Sequence, residues 1–269
     1  MTLKENVEQK LNWETLLNQE EAKKSFIWDF RERDFLETFW ISDVHIGHRC
    51  CDTDLFLKNL KFIKDNEIVF ADLGDLVENA TRNSIGAGIY EQEQIADAQI
   101  EMALKLYEPL KDLIQVMLIG NHDLRTFKES GVNITKQMAK RLGTKYGGYG
   151  SFQIIKVGNQ IYKVYASHGG SSATTTGGKF NALKRIADNV EADVVICGHM
   201  HEPIYHARDI FKTDERGQVT KRTQYIVANG AYLNWWGSYG QIKAYSPGRK
   251  GNAKINFYGN KRHLEVSFV

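Results

Sequence analysis

Residues 35–47 read Phe-Leu-Glu-Thr-Phe-Trp-Ile-Ser-Asp-Val-His-Ile-Gly, an apolar run that breaks into Asp43, His45 and Gly47. A run of this kind predicts a buried strand whose carboxyl end carries polar chemistry. The same grammar recurs along the chain. EIVFADLGD (67–75) ends in Asp75, and LIQVMLIGNHD (113–123) ends in Asn121, His122 and Asp123. A hairpin turning at Gly158-Asn159 finishes its second arm at His168, and ADVVICGHMH (192–201) finishes in His199 and His201. Five of the eight histidines thus sit at strand ends, where α/β sheets place their ligands.

Between these strands the apolar spacing predicts helices over 54–64, 91–112, 133–142 and about 180–190, with mostly strands after 201. The order predicts a layered α/β sandwich in which helices cover mixed sheets. Residues 1–35, with Leu11, Leu16, Leu17 and Phe26 among acids and lysines, read as a helical N-terminal extension. Residues 36–269 read as one catalytic domain. No apolar run approaches the ~20 residues that cross a bilayer. The polar N-terminus lacks the core of a signal peptide. The expectation is a soluble, cytoplasmic protein with no membrane partner. Three cysteines without a CxxC pair exclude a disulfide framework and a thiolate zinc site. The formal charge of +2 hides an asymmetry: residues 203–269 hold eleven Lys/Arg against four Asp/Glu. Such a basic quarter faces either a polyanion or plain solvent.

The strand-end residues form a coherent donor set. Asp and His at i and i+2 on a strand share a face, as do His199 and His201 if their strand continues. Imidazole, carboxylate and amide oxygen together suit borderline dications such as Mn²⁺, Zn²⁺ or Fe²⁺. One aspartate with two free oxygens can serve two metals. The positive charge that survives the carboxylates would hold a phosphate and stabilise an in-line displacement.

Asp-Val-His, Gly-Asp, Gly-Asn-His-Asp, Ser-His and Gly-His-Met-His, in this order from Asp43 to His201, resemble the signature of the calcineurin-like metallophosphoesterase superfamily. The resemblance implies a four-layer α/β/β/α sandwich of mixed sheets flanked by helices. It also implies two divalent ions, Mn²⁺ first among Zn²⁺, Fe²⁺, Ni²⁺ and Mg²⁺. Asp43, His45 and His201 would hold the first ion, Asn121, His168 and His199 the second, with Asp75 bridging. His122 would serve as general acid or phosphate stabiliser, oriented by Asp123. His48, His206 and His263 stay outside these motifs.

Departures narrow the branch. Glu78 stands where purple acid phosphatases carry tyrosine, and GDLVENATRN lacks the Asp-Arg-Gly of protein Ser/Thr phosphatases. Asp-Val-His-Ile-Gly is similar to the opening motif of the DNA-repair exonuclease branch. The leading expectation is therefore a phosphodiesterase acting on nucleic acid or nucleotides. A phosphomonoesterase on a small metabolite is the second, and a catalytically silent scaffold the third. Candidate substrate contacts are Thr81, Arg82 and Asn83, and Lys179 at the end of the loop 169–179. Tyr232, Trp235, Trp236 and Tyr239 form an aromatic cluster that suits either base stacking or a core.

Overall fold

Two mixed sheets lie face to face, and the parallel strands at the heart of each run toward one shared edge. The computed structural model describes residues 25–84, 88–242, 244–245 and 247–269. The first sheet holds β1 (Ser25–Phe30), β5 (Gly150–Val157), β6 (Gln160–Ser167), β7 (Val194–Cys197), β9 (Val219–Ala228) and β8 (Ile204–Thr213), in that spatial order. The second holds β11 (Leu264–Phe268), β10 (Ala253–Tyr258), β2 (Phe35–Ile41), β3 (Val69–Asp72) and β4 (Ile114–Met117). Strands β2, β3 and β4 are mutually parallel, and so are β6, β7 and β9. Their six carboxyl ends therefore share one edge of the molecule.

The inner faces of the sheets meet in one apolar layer. Its centre is Trp28 stacked on Trp40, rings 5.3 Å apart and 14° from coplanar, one from each sheet. Buried indole nitrogens need acceptors, and here Trp28 Nε1 donates to Gln153 and Trp40 Nε1 to Thr38. Helices close both outer faces. α1 (Thr53–Asp65) buries Phe56, Leu60 and Ile63, a stripe at helical spacing. It packs with α2 (Ala96–Tyr107) and α4 (Ile134–Leu142) on the second sheet. α5 (Thr176–Asp188) covers the first sheet through Ala182, Leu183 and Ala187. The result is the expected α/β/β/α sandwich.

Three expectations need correction. Residues 25–30 are strand, not helix: Ser-Phe-Ile-Trp-Asp-Phe turns Phe26, Trp28 and Phe30 inward and pairs in parallel with β5. Residues 25–35 thus belong to the sandwich, and the rest of the proposed extension, 1–24, lies outside the described residues. The helix expected over 91–112 is shorter, because Pro109 lacks a donor and cannot continue it. It gives way to the 3₁₀ turn Glu108–Leu113. Finally, the strands stop before the ligand motifs: β2 ends at Ile41 and β7 at Cys197. Among the described residues no helix is long and apolar enough to cross a membrane.

Candidate metal centre

Beyond each strand end the backbone turns left-handed. Asp43, His45, Asp75, His199 and His201 all have positive φ, between 50° and 64°. Strand alternation is therefore not what gathers these side chains, contrary to the i, i+2 argument. Tight loops do it, and residues in this region are rare unless the surrounding structure compels them. Hydrogen bonds between these loops, within one sheet and across to the other, supply that compulsion. The backbone N–H of His199 donates to both carboxylate oxygens of Asp43, at 3.0 and 2.9 Å. The N–H groups of Asp43 and His45 donate to the carbonyls of Gly74 and Asp75. Buried Asn229, at the end of β9, donates to the carbonyl of Trp40 at 2.6 Å and fixes the sheets at this edge.

The seven expected ligands fall into two groups. Asp43, His45 and His201 converge, with His201 Nε2 3.1 Å from Asp43 Oδ1 and 3.4 Å from His45 Nε2. Asp75, His168 and His199 converge beside them; His168 Nε2 lies 3.2 Å from Asp75 Oδ2 and 3.0 Å from Asn121 Oδ1. Asp43, His45, Asp75 and His168 are almost wholly shut off from solvent.

This set fits divalent ions. His45 Nδ1 faces Glu78 Oε2 at 2.9 Å, and His168 Nδ1 donates to the carbonyl of Leu73 at 2.8 Å. Each bond fixes a tautomer that leaves Nε2 for a metal, the usual outer support of ligating histidines. Burial opposes ionisation of Asp43, yet His201 and His168 hold its carboxyl at about 2. Burial likewise lowers His168, but Asp75 outweighs it and lifts the imidazole to about 10. Burial, with the charge of His122, holds His45 down at about 4, so the buried carboxylates draw positive charge to His168 while His45 stays neutral and free to ligate. The donors are oxygen and nitrogen only, as suits Mn²⁺, Fe²⁺ or Zn²⁺.

His122 stands at the rim, its ring 4.4 Å from that of His45. Its backbone N–H donates to Asp75 Oδ1 at 2.8 Å. Asp123 does not orient it. That carboxylate accepts from the N–H groups of Gly120 (2.9 Å) and Asp75 (3.4 Å), and burial together with Asp75 pushes it up to about 7. Asp123 braces the Gly120 turn instead. The partner of His122 is Glu78, whose carbonyl accepts from Nδ1 at 2.8 Å and whose carboxylate lies 3.2 Å away. Arg125 completes the cluster, with Nη1 3.1 Å from Glu78 Oε1 and Nη2 3.0 Å from His122 Nε2. Burial opposes the charge on His122, but Asp75 and Glu78 raise its pKa above the ordinary value.

A cavity of about 400 Å³ opens over these groups. Lys179 lines it, as expected, with Nζ 2.9 Å from Glu202. Arg82 and Asn83 do not; Asn83 turns away and donates to Glu129. Of the aromatic cluster, Tyr232 is core, packed on Phe56 and accepting from Asn59, whereas Trp235 lines the cavity. Glu78 and Arg125 were missed by sequence reasoning. Their spacings, three past Asp75 and three past His122, were the available signal.

Of the basic quarter, Arg249 and Lys250 line the cavity, but Lys221, Arg222, Lys261 and Arg262 do not. Arg222 and Arg262 converge on Asp193, and Lys221 pairs with Asp209. Residues 221 and 222 lie at the start of β9, about 20 Å of strand from its end at Ala228. Lys261 and Arg262 lie between β10 and β11, at that same far end.

The sequence model of the calcineurin-like phosphoesterases matches residues 38–203. No curated protein matches the sequence. Among solved structures, YfcE, a phosphoesterase from E. coli, is similar over 87% of this chain and 98% of its own, at 12% identity and a TM-score of 0.44. A metallophosphoesterase from Sphaerobacter thermophilus is similar over 87% and 88%, at 14% identity and a TM-score of 0.42. Vps29 from Entamoeba histolytica, solved with zinc, is similar over 87% and 98%, at 16% identity and a TM-score of 0.40. Residues 38–203 are most of the chain and contain every motif from Asp43 to His201, so the chain belongs to the calcineurin-like phosphoesterase family and is a metal-dependent hydrolase of phosphoester bonds.

Proposed function

We propose that the protein is a two-metal phosphodiesterase acting on nucleotides or nucleic acid, with Mn²⁺ as the working ion. Asp43, His45 and His201 would hold one ion, Asn121, His168 and His199 the other, and Asp75 would serve both. When bound, the ions supply Lewis-acid polarisation of the phosphoryl group. His122 would donate a proton to the departing oxygen from Nε2 once Arg125, which in this geometry donates to that nitrogen, turns from it to the oxyanion. Glu78 sets its orientation and, with Asp75, favours its protonated form. Arg125 brings a positive charge to the place where the leaving oxyanion develops.

The preference for a diester rests on one observation. The cations Arg125, Lys179 and Lys250 at the cavity already face the carboxylates Glu78, Glu202 and Asp52. Among the described side chains lining the cavity, Arg249 is left to meet a phosphate, and one such charge matches the single negative charge of a diester. A proton donor is most useful where the leaving group is a poor alkoxide, as in a natural diester. The test is hydrolysis of bis-nitrophenyl phosphate beside nitrophenyl phosphate by Mn²⁺-loaded protein, with bound metal counted by elemental analysis. Higher kcat/KM on the diester with two ions per chain is expected. Preference for the monoester, or a single ion at saturation, overturns the reading.

A further inference from the structure

One wall of the cavity is a loop whose described residues are 231–242, 244–245 and 247–250. Its ends are joined, the N–H of Gly230 donating to the carbonyl of Gly251 at 2.8 Å, so it forms a closed surface loop. Three contacts seat it on the metal loops. Tyr232 N–H donates to the Asp43 carbonyl, Asn234 N–H to the Cys50 carbonyl, and Gly248 lies against His201. A methyl group on Gly248 would stand 2.6 Å from the His201 carbonyl oxygen, so only glycine permits this approach.

Trp235 and Tyr245 both line the cavity, and the Trp235 indole is pinned because Nε1 donates to the Tyr245 carbonyl at 2.8 Å. Trp236 meets Trp235 edge to face, ring centres 5.0 Å apart, and is itself 75% exposed. Two adjacent indoles beside a charged site, one of them mostly exposed, are poorly explained as core. Arg249 lines the same wall. Unlike Arg125, Lys179 and Lys250, it has no ion-pair or hydrogen-bonding partner for its guanidinium among the described residues.

We infer that this loop is a nucleoside subsite, in which Trp235 stacks an unpaired base and Arg249 takes the neighbouring phosphate. Aromatic faces interleaved with cations are the footprint of single-stranded nucleic acid, because every base offers a π-face and every link a charge. A cavity of about 400 Å³ lies in the small-ligand range and has room for roughly one nucleotide. A duplex would have to fray to enter. The pinned indole is pre-organised, so stacking takes little side-chain ordering. This assignment rests on the phosphodiesterase reading and names the substrate element that the site recognises.

The test uses full-length, Mn²⁺-loaded protein and three diesters sharing one leaving group: thymidine 5′-, thymidine 3′- and ethyl nitrophenyl phosphate. At least one thymidine ester should exceed the ethyl ester in kcat/KM. Trp235→Ala should erode that excess by roughly tenfold to a hundredfold, the range for losing one stacked base. Trp235→Phe should restore most of it. Arg249→Ala should flatten the salt dependence of dinucleotide binding by about one ion. Calorimetric binding of thymidine monophosphate and ethyl phosphate separates the two claims. Tighter nucleotide binding that Trp235→Ala abolishes, with no diester turned over, keeps the subsite and removes the diesterase reading. Diester turnover with equal kcat/KM for ethyl and thymidine esters keeps the diesterase and overturns the subsite, as does equal binding of the two monophosphates.

Discussion

Glu78 Oε2 lies 2.9 Å from Nδ1 of His45, both side chains buried, and the same carboxylate faces His122 and Arg125. One glutamate thus aligns a prospective metal ligand and the prospective proton donor. Glu78→Gln keeps the volume but presents an amide N–H toward one of two imidazoles. We predict a loss of about 10–100-fold in metal affinity or kcat, the usual effect of losing an outer partner. Metal titration beside steady-state rates measures both. Wild-type values for both would show that Glu78 is a bystander.

His122 and His168 should fail differently. His122→Ala should keep its metal and slow a natural diester by roughly 10²–10⁴-fold, the range for an acid–base group. The loss should be smaller on a nitrophenyl ester, whose leaving group needs little protonation. His168→Ala should lose metal, and excess Mn²⁺ should restore part of the rate. Elemental analysis with rates on both esters decides. Metal loss in His122→Ala, or equal slowing of both esters, removes the leaving-group role.

Asp72, beneath the site, gives a pH signature. Gly74 N–H and the Tyr107 hydroxyl donate to it, yet burial pushes its carboxyl up to about 6. A carboxyl raised on folding binds its proton more tightly in the folded state. Its contribution to stability is greatest below about pH 4, falls as pH rises to about 6, and is flat above. Asp72→Asn should abolish that slope and be more stable than wild type at pH 8 by about 1–3 kcal/mol. Urea unfolding in chelator from pH 4 to pH 8 tests this through the wild-type–variant difference. A difference that does not widen with pH refutes it.

Arg222 and Arg262 both grip Asp193, whose carboxylate also accepts from the N–H of Lys163. Alanine at either arginine should cost about 1–2 kcal/mol of stability through a charged hydrogen bond. It should leave the salt dependence of polymer turnover where it was. A flatter salt slope with full stability would return these residues to a polyanion groove.

Much of this architecture is legible because strand and chemistry are separate words in the sequence. Phe39 to Ile41 and Val69 to Ala71 are buried apolar runs, and the polar residues that follow them gather at one edge. The roles of Glu78 and Arg125 were harder to read for the opposite reason. Each lies three residues past a motif, in a loop or on the first turn of α3 (Asp123–Ser130), and only the folded loops decide what it faces. The strand Ser25–Phe30 was missed although Phe26, Trp28 and Phe30 alternate. Leucines upstream of it suggested a helical period, and a parallel partner as distant as Phe152, opposite Ser25, leaves no local turn to announce it. Charge counts along the chain could not choose between a polyanion and solvent, since acids from distant segments absorb several of the basic residues.

The left-handed backbone at Asp43, His45, Asp75, His199 and His201 bears on how such a site is dissected. Alanine is the customary eraser because it is assumed to delete a side chain and nothing else. At these five positions it is not neutral. An L-residue without a short polar side chain is disfavoured there by about 1–2 kcal/mol, whereas glycine adopts the same φ freely. An alanine variant therefore removes a ligand and bends a loop at once. A glycine variant removes the ligand and relieves the turn while giving the unfolded chain more freedom, so the gap between the two at each position measures what a Cβ costs in that turn.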